Sequence, residues 1–138
     1  MEQSPAEELA LALRTIYRRL ELFRDAQLQV TPKELGLLLI VEENGSIRVK
    51  DLARQVQLPL STVSWTADQM VRHRLLARKA DPTDRRAIRL TLDRAGRAAL
   101  RSHYRIFDLL VASALEMLTA TEIQTLLRAL RKIAGPLK

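Results

Sequence analysis

The chain has 138 residues, of which 47% are hydrophobic and 28% charged, a composition typical of one globular domain with a substantial core. It has a net charge of +7 and no cysteine, which excludes disulfides, thiolate metal sites and cysteine redox switches. Its first residues are acidic rather than basic, and the apolar run 35–41 is far shorter than the roughly 20 residues of a membrane span, so we expect a soluble cytoplasmic protein.

Three helix starts share one pattern, in which a hydroxyl side chain is followed three residues later by a glutamate. Such a capping box satisfies free amide groups at a helix N-terminus, and Pro at the first helical position strengthens two of the three signals. We therefore predict helices that begin near residues 5, 32 and 120. The three boxes are Ser4-Pro5-Ala6-Glu7, Thr31-Pro32-Lys33-Glu34 and Thr119-Ala120-Thr121-Glu122.

Shorter elements are predicted between residues 45 and 93. A brief strand over 47–49 precedes helices over 50–56 and 61–73, and strands over 76–80 and 87–92 follow them. The turn Asp81-Pro82-Thr83-Asp84-Arg85-Arg86 joins these last two strands, because Asp and Pro both favour a tight turn. Two short helices followed by a hairpin make a winged helix-turn-helix. The predicted fold class is mainly α with a small β wing.

A long helix is predicted over 94–118, with Asp93 as its N-cap. At roughly 1.5 Å per residue it would be about 37 Å long, too long for a small domain to cover, so its second half is expected to pack against another chain. The first and last helices each carry an apolar stripe that needs a partner. These stripes are Leu9, Leu13, Ile16, Leu20 and Phe23 in the first helix, and Ile123, Leu126, Leu127, Leu130 and Ile133 in the last.

The basic charge is concentrated in the middle of the chain. Residues 1–45 have a net charge of −3, residues 46–90 of +6 and residues 91–138 of +4. A uniformly solvated basic surface would explain the total but not this concentration. A localised basic surface attracts a polyanion, most commonly nucleic acid, with an anionic membrane surface as the alternative.

These segments resemble the MarR-type transcriptional regulators over nearly the whole chain. The resemblance is carried by Val49-Lys50-Asp51-Leu52-Ala53, by Ser61-Thr62-Val63-Ser64, by the turn 81–86 and by Leu92-Asp93-Arg94-Ala95-Gly96. It implies a homodimeric winged helix-turn-helix that binds double-stranded DNA at a pseudo-palindromic operator, and a repressor that a small aromatic or anionic ligand releases. In that organisation residues 1–30 form an N-terminal dimerisation helix, 31–93 the DNA-binding lobe and 94–138 the C-terminal dimerisation helices of one intertwined domain.

The resemblance assigns DNA contacts to the recognition helix and the wing. By position, Arg86 enters the minor groove and Asp84 orients the wing. Ser61, Thr62 and Ser64 match the start of the recognition helix. On a helical wheel a stripe of four residues faces away from the expected core and is predicted to be exposed: Thr62, Trp65, Gln69 and Arg72. Further basic residues on or beside the hairpin would add charge or contact phosphates: Arg78, Lys79, Arg85 and Arg89.

Four residues depart from the family's pattern, of which Asp93, in place of a usual Thr cap, is a harmless exchange. Trp65 stands where a basic residue is common, so it either contacts DNA in a different way or packs in a core or interface. Arg74 and Gln57 stand where glycine is common. Each must therefore adopt a positive φ, or the local turn must differ.

No active site, metal site or cofactor is predicted. His73 and His103 are the only histidines, they lie far apart in sequence, and no nucleophile pairs convincingly with a base. An effector site is expected between the dimerisation helices and the DNA-binding lobe, with ordinary packing as the alternative for its tyrosines. Its candidate residues are Tyr17, Arg101, Tyr104 and Arg105.

Two other functions are compatible with the same residues. A nonspecific architectural DNA-binding protein would use the basic wing and helix through phosphate contacts alone. A winged-helix protein-interaction module would use Trp65 to anchor a partner protein. Competition by random duplex DNA and the salt dependence of binding distinguish these alternatives from a sequence-specific regulator.

Overall fold

The computed structural model describes residues 3–27 and 29–135, and the side chains of 3–22 and 29–135 among them. These residues form α1 (Pro5–Gln27), α2 (Pro32–Asn44), β1 (Ile47–Arg48), α3 (Val49–Val56), α4 (Leu60–Arg72), β2 (Leu76–Ala80), β3 (Ile88–Leu92), α5 (Arg94–Met117) and α6 (Ala120–Ala134). The bounds agree with the predicted ones to within one residue. The predicted fold class, mainly α with a small β wing, is therefore confirmed.

The three predicted capping boxes are present. Thr31 Oγ1 accepts a hydrogen bond from the Glu34 amide at 3.1 Å, and a Glu34 carboxylate oxygen accepts one from the Thr31 amide at 3.0 Å. The pairs Ser4 with Glu7 and Thr119 with Glu122 repeat this reciprocal arrangement. Local sequence therefore determines where α1, α2 and α6 begin.

The chain divides into two compact units, Met1–Tyr104 and Arg105–Lys138. The first unit contains the core, in which apolar side chains from α2, α3, α4 and the sheet form one cluster together with Leu100 of α5. Each fully buried side chain of this kind contributes roughly 1.5–3 kcal/mol of transfer free energy. The largest of them are Leu37, Leu38, Leu52, Met70, Leu76 and Leu90.

The second unit contains the end of α5 and all of α6. No residue of α6 is buried, and several large apolar side chains of this unit face solvent. Among the helices that the structure describes, none combines the length and the apolar character needed to cross a membrane. Phe23, which we placed in the stripe of α1, lies outside the described side chains.

The three strands form one antiparallel sheet in the order β1-β3-β2. Ala80 pairs with Ile88 next to the loop of the β2–β3 hairpin, and Leu76 pairs with Leu92 at its base. On the other side of β3, Ile47 pairs with Leu90. Strand β1 therefore connects the hairpin to the helices that precede it, and the loop 81–87 projects from the hairpin as the tip of the wing.

Two residues other than glycine have a positive φ, Gln57 at 56° and Arg74 at 58°. They follow α3 and α4, where Gln57 is the left-handed C-cap and the Arg74 amide donates to the Val71 carbonyl at 3.1 Å. The sequence left open either a positive φ or a different local turn at these two positions, and the structure shows the positive φ. The left-handed backbone conformation of a residue other than glycine costs about 1 kcal/mol or more of conformational free energy, and the protein carries this cost at both positions.

Replacement of Arg74 by glycine is expected to stabilise the protein. The left-handed strain disappears, while the added freedom of the unfolded chain offsets part of that gain. We expect a net increase of about 0.5–1 kcal/mol in the free energy of unfolding, measured by urea denaturation. Arg74→Ala is the matched control, because it removes the charge but keeps the strain. Equal stabilisation by both variants would show that charge, not backbone geometry, is responsible.

Candidate nucleic-acid interface

Helix α4 has one buried and one exposed face. Val63, Thr66, Ala67 and Met70 are buried against the core. The exposed face is a stripe at spacings of four, three and four residues, made of Ser61, Trp65, Asp68 and Arg72. We refer to these four residues as the α4 stripe.

The α4 stripe differs in part from the predicted one. Trp65 is 67% exposed and Arg72 is also exposed, as expected. Thr62 and Gln69 are half-buried instead, because they lie at the border of the buried face. Ser61 is exposed and Ser64 half-buried. Sequence reasoning placed Asp68 on neither face.

Asp68 forms an ion pair with Arg78 of β2, and both side chains are about half exposed. The α4 stripe and the outer surface of the wing strand therefore lie side by side. An exposed ion pair contributes at most about 1 kcal/mol, so a phosphate group can compete with Asp68 for the Arg78 guanidinium. No signal in the sequence indicated this pair, since its members are ten residues apart in different elements.

The start of the wing loop is organised by Asp81, which is the first residue of the predicted turn. Its Oδ1 accepts hydrogen bonds from the Thr83 amide and hydroxyl, both at 2.9 Å, and from the Asp84 amide at 3.1 Å. Its Oδ2 accepts from Arg48 Nε at 2.9 Å and from Arg89 Nη1 at 3.1 Å. The Asp81 side chain is 1% exposed. We refer to Asp81, Arg48 and Arg89 as the wing brace.

The wing brace stabilises the ionised form of Asp81. The hydrogen bond from Arg48 lowers the pKa of Asp81 far below its ordinary value, and the two bonds from Thr83 and the one from Arg89 lower it further. Charge-assisted hydrogen bonds of this kind are about twice as strong as neutral ones. The carboxylate therefore holds β1, β3 and the start of the wing loop together.

The Arg89 side chain forms hydrogen bonds within the protein, at the start of the wing loop. Besides Asp81, its guanidinium donates to Ser46 Oγ at 2.9 Å and to the Ser46 carbonyl oxygen at 3.2 Å. This arrangement leaves the side chain 31% exposed. Among the basic residues assigned to phosphates from the sequence, Arg89 is thus the one that the structure places in a positioning role.

The tip of the wing presents its arginines to solvent. Asp84 Oδ1 accepts a hydrogen bond from the Arg86 amide at 3.0 Å, and the Asp84 carbonyl accepts one from the Ala87 amide at 3.1 Å. Asp84 therefore shapes the middle of the wing loop, while the wing brace holds the start of the loop. Arg85, Arg86 and Lys79 are exposed, and none of them forms an ion pair with a carboxylate in the part of the chain that the structure describes.

Both tyrosines that we expected near an effector donate hydrogen bonds to glutamates. Tyr104 donates a hydrogen bond to Glu42, and desolvation together with this bond raises the pKa of Tyr104 to about 12. Tyr17 donates to Glu21 of its own helix at 2.9 Å. Arg101 is exposed on α5, and Arg105 belongs to the second unit.

A cavity of about 580 Å³ lies elsewhere in the first unit. Its polar lining includes Glu34 at the start of α2, His73 at the end of α4 and Ser102 of α5. None of the four residues that we assigned to an effector site lines it. Within the described residues, no group of three or more acidic or histidine side chains could hold a metal ion.

Known proteins are similar to this chain both in sequence and in fold. The sequence model of the MarR family matches residues 30–88, which include α2, α3, α4, β2 and the wing loop. A solved MarR family protein from Bacillus stearothermophilus superposes with a TM-score of 0.79 at 26% identity, over 97% of this chain and 96% of that chain. The chain belongs to the MarR family.

Two other known proteins are similar to this MarR protein. It is 29% identical to the HTH-type transcriptional repressor MdtR of Bacillus subtilis, over 72% of this chain and 73% of MdtR. A structure of a mutant of MepR from S. aureus, bound to an oligodeoxyribonucleotide, has the same fold with a TM-score of 0.72 at 19% identity, over 99% of this chain and all of that one. This MarR protein is a DNA-binding transcriptional regulator. Because the family consists of regulators and not of enzymes, the prediction of no enzymatic activity is confirmed.

Proposed function

We propose that this MarR protein is a homodimeric, sequence-specific repressor that binds a pseudo-palindromic operator and is released by a small-molecule ligand. The observation that carries the proposal is the juxtaposition of two exposed surfaces with different shapes. The α4 stripe lies beside β2 through the Asp68–Arg78 pair, and the braced wing presents Arg85 and Arg86 at its tip.

These two surfaces suit the two grooves of B-form DNA. The major groove is about 12 Å wide and admits an α-helix, where side chains can reach base edges. The minor groove is narrower and more negative, and it attracts an arginine on a thin element such as a wing tip. The helix would therefore read bases while Arg86 enters the neighbouring minor groove. Four further basic residues would neutralise phosphates of the DNA backbone between these two contacts: Arg72, Arg78, Lys79 and Arg85.

A homodimer is supported by the apolar surface of the outer helices. Met117 is 80% exposed, Ile133 76% and Leu22 70%, and further leucines of α1 and α6 also face solvent. Exposed apolar surface, present here in each of the two units, marks an interaction site. A second copy of the chain would cover this surface, and the twofold symmetry of the dimer would match a pseudo-palindromic operator. MdtR, which is similar over most of its length, carries the name of a repressor.

The cavity of the first unit is the better candidate for the effector. Its volume falls in the range of small-molecule sites, roughly 300–1,000 Å³. His73 is the C-cap of α4, so a ligand in contact with His73 would touch the end of the recognition helix. Such a ligand would release DNA only if it bound the DNA-competent and incompetent arrangements unequally. The residues first assigned to this role, Tyr17, Arg101, Tyr104 and Arg105, are the alternative site.

Selection of bound sequences from a random duplex library tests this proposal. Enrichment of a sequence with two inverted half-sites about one helical turn apart is the expected result, because a dimer presents two recognition helices on one face of the duplex. A library that yields no enriched sequence but binds at low salt would support the architectural alternative. Absence of duplex binding at low salt would support the protein-interaction alternative.

Removal of the Arg86 side chain is expected to weaken operator binding more than binding to random duplex. A minor-groove contact reports the shape of a particular sequence, whereas a phosphate contact does not. For Arg86→Ala we expect about a tenfold loss of operator affinity and a smaller loss on random duplex, measured by fluorescence anisotropy at fixed salt. Arg85→Ala is the control, with similar, smaller losses on both duplexes. Equal losses of affinity on both duplexes for Arg86→Ala would show that Arg86 contacts a phosphate and does not read the minor groove.

A further inference from the structure

We propose that Trp65 makes this regulator selective for a thymine in each operator half-site, by packing its indole ring against the thymine C5-methyl group in the major groove. The inference rests on the proposed binding of α4 in the major groove. It assigns a base preference to a residue that the fold does not use.

Trp65 has no role in the core. Its side chain is 67% exposed, although tryptophan is usually largely buried. The buried face of α4 is already filled by Val63, Ala67 and Met70, whose exposure is 2% or less. An indole left in water retains a large apolar surface whose burial would be favourable. Such a residue on an otherwise polar stripe indicates a partner surface.

Trp65 also has the right position for a base contact. It is the sixth of the thirteen residues of α4, in the first half of the helix. Residues in the N-terminal half of a recognition helix contact base edges when the helix lies in the major groove. The other members of the α4 stripe are polar, with Ser61 one turn before Trp65 and Arg72 two turns after it. Arg78 forms an ion pair with Asp68, so Arg72 leaves the stripe with a positive charge, which favours DNA over an apolar protein partner.

The chemistry of the major groove identifies the base. The thymine methyl is the only apolar group that a base pair presents there, and the other groups are hydrogen-bond donors and acceptors. The indole offers one N–H donor and a broad apolar ring, so it cannot form the bidentate bond that arginine makes with guanine. Its contact energy is therefore greatest against a methyl group. Burial of one methyl group corresponds to about fourfold in affinity.

Deoxyuridine provides the test, because it pairs like thymidine but lacks the methyl group. Each thymine of the selected operator is replaced in turn, and affinity is measured for the wild-type protein and for Trp65→Ala. We expect one position per half-site at which the wild type loses about fourfold, while Trp65→Ala is unaffected by the same replacement. Replacements outside the operator serve as the control. Circular dichroism verifies that the variant is folded.

Two further measurements separate the methyl contact from other roles of Trp65. The chain has a single tryptophan, so its emission reports the environment of this side chain directly, and we expect the operator to change it. Trp65→Phe keeps an apolar ring without the N–H donor and should retain the sensitivity to deoxyuridine.

Loss of that sensitivity in Trp65→Phe would assign the effect to the N–H group and overturn the inference. An operator with no Trp65-dependent thymine, or unchanged emission on binding, would overturn the inference alone. Failure to select any operator would overturn the proposed function together with it.

Discussion

Asp81→Asn is expected to weaken binding of duplex DNA by about tenfold or more, although the Asp81 side chain is 1% exposed and cannot itself reach DNA. The substitution keeps the size of the side chain but removes the charge that pairs with Arg48 and Arg89. The asparagine amide would direct its own donors toward these two guanidiniums. The wing would then lose its attachment to β1, and the tip arginines would no longer be held in one position.

The same residue predicts how stability changes with pH. Because the pKa of Asp81 is lowered from its ordinary value of 3.8, the folded state favours the ionised carboxylate. Its contribution to stability is complete above that ordinary value, and it is lost as the pH falls toward the lower pKa of the folded state. The melting temperature of the wild type should therefore fall on acidification below about pH 4, and that of Asp81→Asn should fall less steeply over the same interval.

Asp84→Asn is the matched control for both measurements. Asp84 lies three residues away in the same loop, but it is exposed, and its side chain accepts one hydrogen bond, from the Arg86 amide. An asparagine oxygen can accept that bond equally well. We expect a small loss of DNA affinity. If Asp84→Asn and Asp81→Asn weaken binding equally, the wing brace is not what positions the wing.

Gly96→Ala is expected to lower the free energy of unfolding by about 2 kcal/mol. A methyl group at Gly96 would lie closer to the Leu75 carbonyl oxygen than real side chains come, and 3.1 Å from Leu38 Cδ2. The Leu75 carbonyl accepts a hydrogen bond from the Asp93 amide at 3.1 Å, so it cannot move without breaking that contact. Overpacking of this kind costs roughly 1–3 kcal/mol, which at this separation outweighs the gain of about 1 kcal/mol in helix propensity.

Gly36→Ala is the control, because nothing lies within 4 Å of a methyl group built at Gly36 in the interior of α2. There the helix-propensity gain acts alone and should stabilise the protein by up to about 1 kcal/mol. Thermal unfolding followed by circular dichroism measures both effects, with roughly 4 °C of melting temperature for each kcal/mol in a chain of this length. Stabilisation by Gly96→Ala would show that α5 can shift away from Leu75.

The helices at the two ends of the chain could be predicted from the sequence, but the surface that buries their apolar side chains could not. Their caps and apolar stripes are local signals, and they predicted where α1 and α6 begin and both ends of α5 to within one residue. Burial of those stripes depends on a partner surface that no local pattern describes. The proposed dimer supplies that surface.

Most of the secondary structure could be predicted from the sequence alone, because it depends on local interactions. The capping boxes, the apolar periodicity and the Asp-Pro turn each act within a few residues, so they predicted nine elements in the described residues and the exposure of Trp65. The positive φ of Gln57 and Arg74 was one of two alternatives that the resemblance to MarR-type regulators left open, and the structure shows it at both positions.

The tertiary structure alone decided how the wing is held. Asp81 meets Arg48 across 33 residues of sequence, Asp68 meets Arg78 of another element, and Gly96 contacts the backbone of Leu75. Each of these residues has an ordinary interpretation in the sequence, as a turn residue, a surface charge or a tolerated helix glycine. Their roles come from long-range proximity, which depends on how the elements pack together and which local patterns do not encode.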